Sequence, residues 1–163
     1  MNKKESHPRH LIVTLVLLAA ALGLAAVPAH AAGPFQYFPV TPCRVFDTRT
    51  TGTQTNGMPL TNPGPHNFRI QGNCGVPNGA QAVTLNATVV SPSRPGDLRL
   101  YPATGSAPTV STLNYTTSET LANGAIVPLN AVSVPTDDDL GVVIGMTASG
   151  TIHLIIDVTG YFM

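Results

Sequence analysis

The sequence of 163 residues has no tryptophan, only two cysteines and no lysine beyond Lys4, and charged residues make up just 10% of it. Each shortage closes off a class of chemistry. From Ala32 onward the basic residues are Arg44, Arg49, Arg69, Arg94 and Arg99, against Asp47, Asp97, Glu119, Asp137, Asp138, Asp139 and Asp157. That mild acidity leaves no electrostatic footprint for nucleic acid or for an anionic membrane surface. Two scattered cysteines with no C-x-x-C do not make a zinc set, and no cofactor is expected. No G-x-S-x-G elbow is present for a hydrolase nucleophile. Without tryptophan, a sugar-stacking platform would have to come from Tyr37, Tyr101 or Tyr115.

What is present begins with the layout of a secretory signal peptide. Lys3, Lys4 and Arg9 precede the apolar run Leu11 to Val27, and Pro28 and Ala29-His30-Ala31 follow as helix breaker and small-x-small cleavage pattern. The run is long enough for an uncleaved membrane helix to be the rival reading, but Pro28 and the Ala29-His30-Ala31 site stand where a signal peptidase needs them, so cleavage is favoured. The expected division is a signal peptide at 1–31 and one extracellular domain at 32–163, secreted and not inserted in the membrane once the signal is removed. No cysteine stands at the cleavage site for lipid attachment, and no hydrophobic anchor follows Phe162. About 130 residues suffice for one domain with a sizeable core. In an oxidising compartment an even count of two allows one intramolecular bridge, Cys43 with Cys74.

Strand patterning dominates the rest. Val83, Leu85, Ala87 and Val89 fall on one parity and Thr84, Asn86 and Thr88 on the other, which predicts a half-buried strand over Ala82 to Val90. Ser91 to Gly96 supplies turn residues, and a second strand at Asp97 to Tyr101 completes an expected hairpin. Phe35 to Val40 reads as an edge strand or an entry segment and Cys43 to Arg49 as the next strand, before a long Gly- and Pro-rich loop from Thr50 to His66. Thr109 to Tyr115 and Ala125 to Leu129 read as short strands. Leu140 to Ala148 and Thr151 to Phe162 form an expected closing pair around Ser149-Gly150, the last strand being apolar on both parities and so expected to be covered on both faces. The sum is an all-β, single antiparallel β-sandwich of jelly-roll type with eight to ten short strands, a closed β-barrel being the alternative.

Pro42-Cys43-Arg44-Val45-Phe46-Asp47-Thr48-Arg49, Gly72-Asn73-Cys74-Gly75-Val76-Pro77, Leu85-Asn86-Ala87-Thr88-Val89-Val90, Ser111-Thr112-Leu113-Asn114, Ala122-Asn123 and Asp157-Val158-Thr159-Gly160-Tyr161-Phe162 together resemble a recurrent module of secreted bacterial proteins. The likeness covers nearly all of the chain after residue 31. It implies export, a β-rich fold and a paired cysteine. Such modules often occur in tandem or appended to other extracellular domains, and no activity comes with the resemblance.

Several residues invite sharper readings. Asp47 and Arg49 share a strand parity, which suits an ion pair or, as the sharper reading, a ligand-binding pair with Tyr101 as a further contact. Asp137, Asp138 and Asp139 could offer hard oxygens to calcium, although EF-hand spacing is absent and adjacent aspartates in a turn usually face water. Asp157 is expected to be a buried structural carboxylate needing a partner such as Arg44 or Arg49. His153 and Asp157, four residues apart on an extended strand, lie about 13 Å apart and cannot form a catalytic dyad. No catalytic set emerges. The expected role is a non-catalytic extracellular or cell-surface module for structure or adhesion, its partner an unidentified surface protein or glycan. A carbohydrate-binding module is the alternative, and a secreted hydrolase using His153 or His66 is the third.

Overall fold

The closing strand organises the sheet structure. In β9 (Thr151–Phe162), Ile152, Leu154, Ile156 and Val158 are all buried on one face, as period-two alternation requires. The structure, a computed structural model, describes residues 34–51, 54–130 and 137–163; the expected signal peptide lies outside the described residues. Antiparallel to β9 run β1 (Tyr37–Asp47) on one side and β4 (Ala82–Val90) on the other. On the far side of β4 lies β7 (Thr120–Pro128), and the short β2 (Leu60–Thr61) pairs with the start of β9. A second antiparallel sheet has the order β3 (His66–Phe68), β8 (Leu140–Met146), β5 (Gly96–Pro102), β6 (Leu113–Tyr115). The two sheets do not close into a barrel: the fold is an all-β sandwich.

Between the sheets the inward parities meet. Val83, Leu85, Ala87 and Val89 of β4 and the apolar row of β9 join one cluster with Leu98 and Leu100 of β5 and Leu140, Val142 and Ile144 of β8. Phe46 of β1 and Phe68 of β3 stack within that cluster at a centroid separation of 4.2 Å.

Two expected hairpins are crossovers instead. β4 and β5 lie in different sheets, as do β8 and β9. A strand with one apolar face can bury it against a facing sheet as readily as display it beside a neighbour in its own, so alternation does not distinguish the two. The linkers decide. Ser91 takes a left-handed φ of 48°, and Pro92 and Pro95 carry no N–H with which to continue a ladder. At the second crossover, the Ser149 carbonyl accepts from Arg94 Nε and the Gly150 carbonyl from the Asn62 N–H, so other loops satisfy the turn.

The first two expected strands are one, bent by register shifts against β9 between Pro39 and Cys43 and again between Arg44 and Phe46. The expected double cover of β9 is also corrected: its inner face is closed, while its outer face, carrying His153 and Asp157, is half-buried. Cys43 and Cys74 form a disulfide with a Cα–Cα distance of 5.6 Å, tying β1 to the loop before β4. Among the described residues no helix is long and apolar enough to cross a membrane.

Candidate functional site

The outer face of the five-stranded sheet gathers most of the residues singled out by sequence. Arg44 and Phe46 share a parity, so a regular strand would turn both the same way. The shift at Val45 sets Arg44 opposite Asp157 and Phe46 opposite Ile156, sending the arginine outward and the phenylalanine into the core. Asp47, opposite Ile155, then also faces outward.

Four charges follow in alternation. Arg49 grips Asp47 through Nε to Oδ1 at 2.9 Å and Nη2 to Oδ2 at 2.6 Å. Arg44 Nη1 reaches Asp47 Oδ2 at 3.4 Å, while its Nε and Nη2 donate to the two oxygens of Asp157 at 2.7 and 3.1 Å. The Asp47 side chain is only 5% exposed, and the Arg49 guanidinium, aided by the Arg49 N–H, holds its carboxyl down at about 2 against the burial that opposes it. Asp157 is less buried than expected, with 27% of its side chain exposed.

Beside this chain of charges, the buried Thr48 Oγ1 accepts the Leu154 N–H at 2.9 Å and lies 3.0 Å from His153 Nδ1. Which of the two donates depends on the imidazole tautomer, since the hydroxyl can both donate and accept. The buried hydroxyl orients the ring.

Towards the other end of β1 and β9 the face becomes aromatic. The Tyr37 ring lies over Gly160, where a Cβ would collide with it, and its hydroxyl donates to the Thr159 carbonyl at 3.3 Å. Phe162 flanks it at 5.3 Å, and Phe38 stacks on Tyr161 at 5.2 Å through the opposite face of the strand pair. Tyr37 remains 48% exposed. Tyr101 is 6% exposed, its ring packed where a Cβ on Gly141 would need to be, and Tyr115 is buried with its hydroxyl pushed up to about 12 by desolvation. Of the three tyrosines, Tyr37 is exposed, while Tyr101 and Tyr115 are buried.

The acidic run divides. Asp137 and Asp138 face water, but Asp139 turns inside, where Oδ1 accepts the Ile70 N–H at 2.8 Å and Oδ2 the Gln71 N–H at 2.7 Å. Burial pushes its carboxyl up, partly offset by those two bonds. The three carboxylates therefore do not converge, and among the described residues no cluster of potential ligands could hold a metal ion. In the long loop, a cleft of about 440 Å³ is lined by Met58, Leu60, His66 and Asn67. His66 Nε2 lies 2.7 Å from the Thr61 carbonyl, and Gln54 exchanges two hydrogen bonds with the Arg69 backbone.

Sequence reasoning missed Asp139 as an internal anchor, its buried neighbour Gln71, and the Thr48–His153 contact. The usable signal was slight: Asp139 directly precedes the apolar run of β8, where a carboxylate must either face water or cap backbone donors. In comparisons with known proteins, no family model, no curated protein and no solved structure matches the chain.

Proposed function

We propose that the protein is a secreted, non-catalytic module that docks at a cell surface, in assembly or adhesion. The observation that carries this reading is the exposed aromatic end of the β1–β9 pair: Phe35, Tyr37 and Met163 stand open to solvent there, with Phe38 open on the opposite face. Large apolar side chains left exposed at one end of a sheet suit an interaction surface. The charged groups nearby support it, because Arg44, Arg49, Asp47 and Asp157 are paired with one another and hold the sheet face that presents the rings. The Cys43–Cys74 bridge and the signal-like leader support export.

The test is equilibrium binding of the purified protein to cell envelopes of the source organism, beside the variant Tyr37→Ser/Phe38→Ser. The reading expects saturable binding that the double variant loses while keeping its unfolding midpoint. Binding that survives the double substitution would remove the patch from the account. A carbohydrate-binding role is the second reading, favoured by the flat, half-open Tyr37 ring laid across Gly160 with Thr84 and Thr159 hydroxyls 3.1 Å apart beside it. A glycan array separates the two, since only the second expects a defined oligosaccharide to compete.

A further inference from the structure

Among the described residues five strands stand at open edges, and four are protected in the ways sheet edges ordinarily are. β2, β3 and β6 are two or three residues long. β1 is long but carries two register shifts, Pro39 and Pro42, the charges of Arg44 and Asp47, and a disulfide to the next loop. Short length, bulges, prolines and charges all discourage pairing with another chain.

β7 has none of these defences along its length. Its nine residues, Thr-Leu-Ala-Asn-Gly-Ala-Ile-Val-Pro, contain no charge, pair with β4 in unbroken register, and reach proline only at the last position. Among the described residues β7 pairs with β4 alone. The phase of the ladder follows from its ends: the Leu129 N–H donates to the Gln81 carbonyl and the Ser91 N–H to the Glu119 carbonyl. Hydrogen-bonded pairs alternate along an antiparallel ladder, so the odd-numbered residues of β7 bond to β4. Thr120, Ala122, Gly124 and Ile126 therefore direct their N–H and C=O groups away from the sheet. Their side chains lie on the outer face, where Ile126 is 64% exposed and a Cβ on Gly124 would meet nothing.

We propose that β7 pairs antiparallel with β7 of a second copy of this chain, about a two-fold axis at Asn123, joining two five-stranded sheets into one. Only this register sets Ala122 against Gly124 and Thr120 against Ile126 of the other copy, using every edge-facing donor and keeping Pro128 out of the ladder. It forms about eight backbone hydrogen bonds. It also covers Ile126 with a β-branched neighbour, a favourable cross-strand pair. A second copy is the occupant the strand fits, because an uncharged segment meeting itself brings no like charges together and its edge is self-complementary, as a two-fold interface must be. This assigns a partner within the assembly role proposed above and rests on that role only for its purpose. A monomer that still binds envelopes would end the pairing and leave the role standing.

The experiment is sedimentation of the purified protein over a range of concentrations, with backbone amide hydrogen exchange on the same samples. Ala122→Lys keeps every backbone donor and sets two ammonium groups beside the axis. Ala122→Pro removes only an edge-facing N–H, the position at which an edge strand tolerates proline. The expected result is a dimer whose Ala122, Gly124 and Ile126 amides lose protection on dilution, and a monomeric mass for both variants. Should Ala122→Pro fail to fold, Ala122→Lys and the exchange data decide alone. A monomer at every concentration, or a dimer that Ala122→Lys leaves intact, would overturn the proposal.

Discussion

Replacing Asp139 with alanine should be among the most damaging single changes in the protein, although the residue belongs to a run of three aspartates that looks like solvated loop. The carboxylate is wholly buried and each oxygen accepts a backbone N–H, from Ile70 and from Gln71. Its main chain adds a bond from the Asp139 N–H to the Phe68 carbonyl and accepts from Ala103 and Asn130, so this one residue ties together the ends of β3, β5, β7 and β8. Alanine keeps the main-chain bonds but leaves two buried donors unpaired, each costing about 1 to 3 kcal/mol. Relief of the burial that raises the carboxyl returns part of this, leaving a net loss of about 2 to 4 kcal/mol. Against a total stability of about 5 to 15 kcal/mol, that is a large fraction. Urea unfolding followed by circular dichroism measures it directly, with an unchanged m-value expected. Asp137→Ala and Asp138→Ala, both at exposed positions, should stay within about 0.5 kcal/mol of wild type. The reasoning is refuted if all three variants behave alike, or if calcium raises the wild-type midpoint and the Asp137→Ala substitution abolishes that rise.

Three further outcomes are expected. Asp47 titrates at about 2, below its ordinary value of 3.8, so its stabilising share is fully present above about pH 4 and is lost as pH falls through about 2. Because the Arg49 partner is partly solvated, that share is about 1 to 2 kcal/mol, read as the wild-type minus Asp47→Asn difference in unfolding free energy between about pH 5 and pH 2. Asp157→Ala should cost less than about 1 kcal/mol, since its arginine partner is half exposed; a loss well above this in denaturant titration would restore the buried reading. Cys74→Ser should lower the thermal midpoint by several degrees, as expected for opening a cross-link with a sequence separation of 31, and an unchanged midpoint would mean that the bridge adds nothing.

The class of fold was legible because the period-two pattern is a local property: Val83 to Val89 and Ile152 to Val158 state their inward faces in sequence alone. Which sheet each strand joins was not, since a hairpin and a crossover between sheets bury the same alternate residues, and only the proline-rich linker at 91–96 hinted at the difference. The Asp47–Arg49 pairing could be anticipated from parity. Arg44 was an expected partner for Asp157 and does pair with it, but its reach to Asp47 as well depends on a bulge at Val45 that no residue type announces. Burial misled in both directions: apolar residues on both sides of Asp157 suggested an enclosed carboxylate, while three aspartates in a row suggested a wet one at Asp139.

Export underlies the whole functional reading, and the intact mass of the protein recovered from outside the source cells tests it most directly. The account predicts a chain beginning at Ala32 with no alkylatable thiol, Cys43 and Cys74 being joined. A protein found only inside the cell, still carrying Met1 and two reactive thiols, would contradict it.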